Sequence, residues 1–466
     1  MDALSARTDA TKGAAPWRAH LRATLMLGLP LAGAQLAQMA IHVTDTILVG
    51  RLGTAELAAA VLATQFFHLV WMLGSGFAIA VMPMVASAIG EGDTRTARRS
   101  VRMGLWVCAL FSAAMMPFMW QTEAIMLWLG QEPDVAALAG IYMRVLQWAL
   151  FPALAVMVLR SFLSAIERPN VVLLVTLMGV AFNALVAYAL IYGELGAPQL
   201  GVAGAGLAGL LTMLFMAGLL ALYCLRKADL AHYELFVRFW RPDWQGFKDV
   251  VRLGLPIGAT IVAEAGLFAA SSVMVGWIGR VELAAHGIAL QLASIAFMIP
   301  LGLASAATVR VGLAYGRKDA PNIARAARAA VFVGLSIATC SALLFWIAPR
   351  QLIGLYLDRS ASDAAAVLAY AVPLLAVAAA FQIFDSLQVL AAGILRGLKD
   401  TRVPMIFAIV SYWLVGMPVA YLLAFVAGLG GVGVWAGLGI GLLTAGLSMS
   451  VRFLRREKAG QLLYGA

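Results

Sequence analysis

Twelve times along this chain the side chains stay apolar for as long as a helix needs to cross a bilayer. The stretches lie near residues 24–50, 58–89, 103–120, 136–159, 170–192, 201–225, 250–277, 284–314, 327–349, 365–395, 404–425 and 430–451. A helix of about 20 residues spans the hydrocarbon core, and an open strand in lipid leaves its backbone groups unpaired. The expected fold is therefore an all-α polytopic membrane protein with twelve transmembrane helices. Composition agrees, with 63% hydrophobic and 12% charged residues, where soluble domains carry about 25% charged. The net charge of +10 does not imply nucleic acid, because Lys and Arg collect in the cytoplasmic loops of membrane proteins. Cys108, Cys224 and Cys340 lie far apart in apolar segments and read as buried thiols, with no metal motif or disulfide among them. The start, MDALSARTDATKGAAPWRAHLR, is polar and basic, so no cleaved signal peptide is expected.

Basic residues set the orientation. The N-terminal segment holds Arg7, Lys12, Arg18 and Arg22. Alternate loops hold Arg95, Arg98, Arg99 and Arg102, then Arg160 and Arg168, then the bases of 226–252, then those of 317–328, then Arg396, Lys399 and Arg402. The opposite loops carry only Arg51, Arg280, Arg350 and Arg359, and one, QTEAIMLWLGQEPDV, has acids and no base. Both termini are expected in the cytoplasm of a multi-pass protein of the bacterial inner membrane.

The chain also repeats itself. LGLP occurs at 27–30 and again at 253–256, an offset of 226. At that offset VGRLGTAELAA faces VGWIGRVELAA, and Gly90 and Asp93 face Gly316 and Asp319. Duplication divides the chain into a cytoplasmic segment (1–23), an N-lobe (24–225), a cytoplasmic linker (226–249), a C-lobe (250–451) and a tail (452–466). Each lobe has six spans, an even number, so the two run parallel, related by a pseudo-two-fold along the membrane normal. Transporters of that build bind substrate between the lobes and alternate access by rocking one against the other.

Of 23 acidic residues, three lie deep in spans: Asp45, Glu264 and Asp385. A charge at the centre of a membrane helix costs on the order of 2.5–3.5 kcal/mol, so such residues face a cavity, or hold helices together as neutral hydrogen-bonded acids. At offset 226 Glu264 faces Gln38 and Asp45 faces Ser271. Each lobe thus has one acid on its first helix, about 10 Å apart in depth. Only the C-lobe adds a second, Asp385. Two carboxylates in a poorly hydrated site cannot both ionise cheaply, so the pair takes up a proton or binds a cation through its oxygens.

These motifs resemble the multidrug and toxic compound extrusion (MATE) family over nearly the whole chain. LGLP followed by Asp45 in VTDTILVGRLG is similar to the family's opening, and FQIFDSLQVLAAGILRGLKDTRVP to its tenth helix. Glu264 together with Asp385 resembles the NorM-type branch. The resemblance implies a secondary active antiporter, not an enzyme. It would extrude organic, often cationic, amphipathic compounds in exchange for Na⁺ or H⁺, with no cofactor beyond the coupling ion, as a monomer. It further implies that Glu264 and Asp385 form a C-lobe cation or proton site and Asp45 an N-lobe one. Asn183 in AFNALVAYAL matches a family asparagine, while Ala187 stands where some branches have an acid. Phe381, one turn before Asp385, stands where many relatives have tyrosine. Asn183, Phe381 and Gln38 are the supporting substrate or polar candidates, with an interhelical hydrogen bond as Asn183's other reading. Pro30 and Pro256 are the conformational candidates, as static kinks or as hinges.

His42, three residues before Asp45, either tunes it or packs, and His68 reads as a lone packing residue. Glu56 and Glu282 read as helix-start caps or interface posts, and Arg144 either snorkels or pairs with an acid. A flippase for lipid-linked precursors is the nearest alternative; it would favour a basic cavity, whereas the embedded charges here are acidic apart from Arg144 and Arg310. An intramembrane enzyme is remote, for the chain has no HExxH, paired-Asp motif or Walker loop.

Overall fold

The structure, a computed structural model, describes residues 16–357 and 363–463. Arg7, Lys12 and Arg359 of the charge pattern lie outside the described residues. Among those described there is no strand, and twelve helices are long and apolar enough to cross a membrane. They are α1 (Trp17–Gly50), α2 (Thr54–Glu91), α3 (Thr94–Trp120), α4 (Pro133–Ala165), α5 (Pro169–Tyr192), α6 (Gly201–Arg226), α7 (Trp244–Ile278), α8 (Arg280–Gly316), α9 (Ala320–Ile347), α10 (Ala364–Gly397), α11 (Arg402–Val426) and α12 (Gly430–Lys458). Several outrun their apolar cores, α7 by starting at Trp244 and α12 by ending at Lys458. These extra turns carry the polar side chains that flank the hydrocarbon layer.

The duplicated sequence makes duplicated local structure. Asp93 caps α3 by accepting from the Thr96 amide at 2.9 Å. Asp319, its repeat mate, caps α9 through the Asn322 amide at 3.1 Å. Gly53 and Gly279 are the residues that precede α2 and α8. Glu56 and Glu282 sit in the first turns, their carboxylates folded back so that a Cβ on either glycine would lie 2.3 Å from a carboxylate oxygen. That is the placement of a capping-box acid.

Packing repeats as well. Within the N-lobe α1 packs on α5, α5 on α6, and α4 on α2 and α6; in the C-lobe α7 packs on α11, α11 on α12, and α10 on α8 and α12. Between the lobes α1 meets α8 and α7 meets α2, each the two-fold image of the other. The chemistry of that seam is small side chains. Apolar area drives no helix association in lipid, so close backbone approach must. A Cβ on Gly76 would lie 2.3 Å from the Gly258 amide nitrogen, and one on its repeat mate Gly302 would lie 2.4 Å from the Ala32 nitrogen. Gly90 and Gly316 face each other's helices near the axis, where a Cβ would fall 2.3 Å from Leu313 O and 2.0 Å from Ser87 O. Residue i touching j plus the offset, and j touching i plus the offset, is the mark of an isologous interface.

All these contacts lie in the halves of the helices nearest the chain termini. Arg310 of α8 reinforces that end, donating to His20 O of α1 at 2.8 Å, to Thr24 Oγ1 at 2.6 Å and to His20 Nδ1 at 2.7 Å. Guanidinium has no acceptor, so His20 Nδ1 must be the unprotonated ring nitrogen. At the opposite end the lobes part, leaving a cavity of about 680 Å³ lined by α1, α2, Tyr142 of α4, Gln291 of α8 and Tyr356.

The linker between the lobes is strapped to α3. Arg98 pairs with Glu234, Arg99 holds Asp243 at 2.5 and 2.8 Å, and the Trp106 indole donates to Phe239 O at 3.0 Å. The Arg99 hydrogen bond holds the Asp243 carboxyl below its usual range. Its contribution is therefore complete at neutral pH and is lost only as pH falls through the lowered value.

Two outcomes follow from these contacts. Asp243→Asn should loosen the linker backbone around Arg238 and Arg241, whose side chains are already exposed, raising trypsin cleavage there about fivefold at pH 7, since a part-exposed pair is worth about 1 kcal/mol. Gly316→Ala must push α8 from α2. With Cys108, Cys224 and Cys340 replaced, a cysteine at Ser87 should then react with a thiol reagent about tenfold faster.

Candidate functional site

Buried polar groups gather in two places, one in each lobe. In the N-lobe, Asp45 on α1 lies between the interlobe cavity and a smaller cavity of about 90 Å³. Gln38, His42, Thr64, His68, Trp71, Tyr142 and Arg160 line the inner one with it. Gln38 and Asp45 share a helical face, as their spacing of seven requires. Asn183 of α5 is wholly buried and faces Asp45. Neither its amide oxygen nor its nitrogen, nor Asp45 Oδ1, has a partner at bonding distance. The two approach each other without closing a hydrogen bond.

His68 is not alone, contrary to the sequence reading. Its ring meets that of His42 edge-on at 5.7 Å and stacks on Trp71 at 5.1 Å. Tyr142 of α4 accepts from the Thr64 hydroxyl at 3.3 Å and is an electrostatic neighbour of Asp45. Arg160, expected in a loop, instead sits within α4 and donates to Gln35 Oε1 at 3.1 Å, because α4 continues to Ala165. Arg144 pairs with Glu123 at 3.5 Å, both side chains about half exposed, so the acid partner is real and weak.

In the C-lobe, Asp385 on α10 is 4% exposed and its Oδ1 has no partner. Glu264 on α7 is its electrostatic neighbour, as the sequence pairing anticipates. Arg396, three turns further along α10, is the cation facing Glu264. Phe381 is buried against Phe268 at 6.0 Å and Trp435 at 5.1 Å. Its ring is thus committed to an aromatic box beside Asp385. The same box orders His286. Trp435 Nε1 donates to His286 Nδ1 at 3.0 Å, and Ser272 Oγ meets Nε2 at 3.0 Å. An indole can only donate, so Nδ1 accepts and the ring is the Nε2–H tautomer. Cys108 and Cys224 are buried, but Cys340 is exposed on the outside of α9, a correction to the expectation of three buried thiols. Pro30 and Pro256 both lie inside unbroken helices, α1 and α7.

The repeat also organises the likeness to known proteins. The MatE family model matches residues 30–189 and again 256–422, two segments that start one repeat offset apart and together cover more than half of the chain. The chain belongs to the MatE family. A protein of Rhizobium meliloti (strain 1021) named "Probable multidrug resistance protein NorM" is 54% identical, with 94% of each chain covered. One of the same name from Agrobacterium fabrum is 49% identical over 95% of each. Among solved structures, a MATE transporter in complex with MaL6 has a TM-score of 0.86 at 22% identity, covering 94% of this chain and 97% of that one. At that identity it establishes the fold.

This MATE chain is therefore a multi-pass membrane protein of two related six-helix lobes. Sequence reasoning located its three embedded acids and missed several of their neighbours. Tyr142 and Tyr412 stand in the same helices as dozens of apolar residues, and a helix without a polar face gives no sign of which way they point; Arg396, expected in a loop, lies inside α10 because that helix runs on to Gly397. The polar type was the only signal for each.

Proposed function

We propose that this protein is a secondary active multidrug efflux antiporter, which extrudes organic, often cationic, amphipathic compounds in exchange for Na⁺ or H⁺. The observation that carries the reading is the pairing of Glu264 with Asp385 inside the C-lobe, in a family whose relatives here are named as multidrug resistance proteins. Two neighbouring acids with little water must be neutralised by a bound ion, and a coupling ion does that reversibly. Asp45, supported by Asn183 and Gln38, is the corresponding N-lobe group. The interlobe cavity, about 680 Å³, is of the size that takes drug-like molecules. Among the described residues its lining includes Asp45 and neither Lys nor Arg, which favours cationic cargo over the anionic precursors of a flippase.

The proposed cycle is indirect competition. With both termini cytoplasmic in the inner membrane, the closed seam faces the cytoplasm and the cavity faces outward. Cation binding at Glu264 and Asp385 favours release of drug to that side; drug arriving from the cytoplasm favours the opposite state, so each shifts the other's population. Residues 24–225 and 250–451 move as the two lobes about the linker 226–249, with Pro30 and Pro256 as points of bending. The protein works as a monomer on small molecules, without nucleic acid and without catalytic chemistry.

Asp385→Asn keeps the shape and removes the charge. In everted vesicles it should lower gradient-driven ethidium efflux about tenfold or more, the scale of a site-to-site coupling, with unchanged amounts of folded protein. Normal efflux by that variant would overturn the assignment.

A further inference from the structure

Tyr412 is among the largest fully buried side chains of the molecule, 0% exposed, and its phenolic oxygen has no hydrogen-bond partner. A buried hydroxyl left unpaired is costly, and its surroundings say what it faces. Glu264, Asp385 and Arg396 are its three electrostatic neighbours, contributed by α7 and α10, whereas Tyr412 comes from α11. The backbone there departs from the ordinary helix. Val410–Gly416 is a π-helical turn, directly ahead of Pro418, which has no amide hydrogen to continue the regular ladder. Such turns concentrate at functional positions because they rotate one side chain out of register.

The turn is also held in place. Trp413, the next residue, donates its indole N–H to Ala263 O at 3.2 Å, the carbonyl of the residue before Glu264. Gly266 leaves room for that ring, since a Cβ there would lie 3.0 Å from Trp413 Cζ2. The indole bond therefore fixes the π turn of α11 against the turn of α7 that carries Glu264.

We propose that Tyr412 is a third group of the C-lobe acid site, its phenolic oxygen serving the ion that Glu264 and Asp385 hold. A phenol suits both states of such a site. With the acids charged, its O–H donates to a carboxylate; with a metal cation between them, the same oxygen turns a lone pair to the ion. Arg396, the fixed positive charge on the same cluster, offsets part of the negative charge and sharpens the need for neutral oxygen ligands around an incoming cation. The inference rests on the reading of Glu264 and Asp385 as the ion site.

The test uses the full-length protein in proteoliposomes, comparing wild type, Asp385→Asn and Tyr412→Phe. Ethidium efflux is followed against the concentration of the driving ion, in one arm Na⁺ at fixed pH and in the other a pH gradient without Na⁺. Tyr412→Phe keeps the ring and removes only the oxygen. One lost hydrogen bond or ligand to a charged group is worth about tenfold in an equilibrium constant. If Na⁺ drives the wild type, its half-saturating concentration should rise about tenfold. If protons drive it, half-maximal efflux should need about tenfold fewer protons, because the carboxylates lose a donor. Maximal rate and ethidium binding should stay within about twofold. An unchanged ion dependence in Tyr412→Phe, with Asp385→Asn inactive, would overturn this inference alone; an active Asp385→Asn would overturn the ion site itself. Should Tyr412→Phe not accumulate folded, Trp413→Phe removes the indole bond that seats the π turn while substituting none of the three groups. It should shift the ion dependence, and an unshifted one would count against the proposal.

Discussion

Two lobes that meet inside a bilayer gain little from hiding apolar surface, because lipid is as apolar as they are. What holds them must be close backbone contact and a few directed polar bonds. In this protein it is a seam of glycines, Gly76 against Gly258 and Gly316 against Ser87, closed at its end by Arg310 on His20 and Thr24. Such a seam has a use beyond cohesion. It is tight enough to define one state and has no large hydrophobic area to lose on parting, so a modest ligand energy can open it. The pseudo-two-fold axis through Gly90 and Gly316 explains why both lobes supply the same kind of contact.

The same low dielectric governs the acids. Asp45, Glu264 and Asp385 are expensive to keep in a membrane unless something neutralises them. The structure sets the C-lobe pair among further polar groups, with Arg396 facing Glu264 and Tyr412 facing both acids. The N-lobe acid instead opens on the interlobe cavity. Gene duplication produced two similar scaffolds, and the acids are what makes them unlike. One lobe holds a secluded pair, the proposed ion site, and the other carries a single acid that lines the interlobe cavity.

Much of the architecture was readable in advance, for identifiable reasons. Spanning length and hydropathy mark all twelve helices, and the constant offset of 226 between LGLP and LGLP, or Glu56 and Glu282, reveals both lobes. Glu264 and Asp385 stood out because charge is rare in lipid, and the resemblance to MATE proteins linked them. The rest was hidden by the same hydrophobicity. Nothing in VSYWLVG announces a π turn, so Tyr412 passed as an aromatic among aromatics. His68 passed as solitary because His42 lies on another helix, and Arg160 passed as a loop base because α4 runs a turn and a half beyond its apolar core. Side-chain direction in an all-apolar helix is decided by packing, and packing is not written in periodicity.

The central claim is that the energy for transport enters as an ion moving down its gradient through this pair of lobes. Wild-type protein in sealed proteoliposomes, loaded with ethidium and given either a Na⁺ gradient or a pH gradient alone, tests it most directly. The account predicts ethidium movement under one of these gradients and its loss when that gradient is collapsed by an ionophore. Ethidium transport that proceeds at the same rate with no gradient of either ion would contradict it.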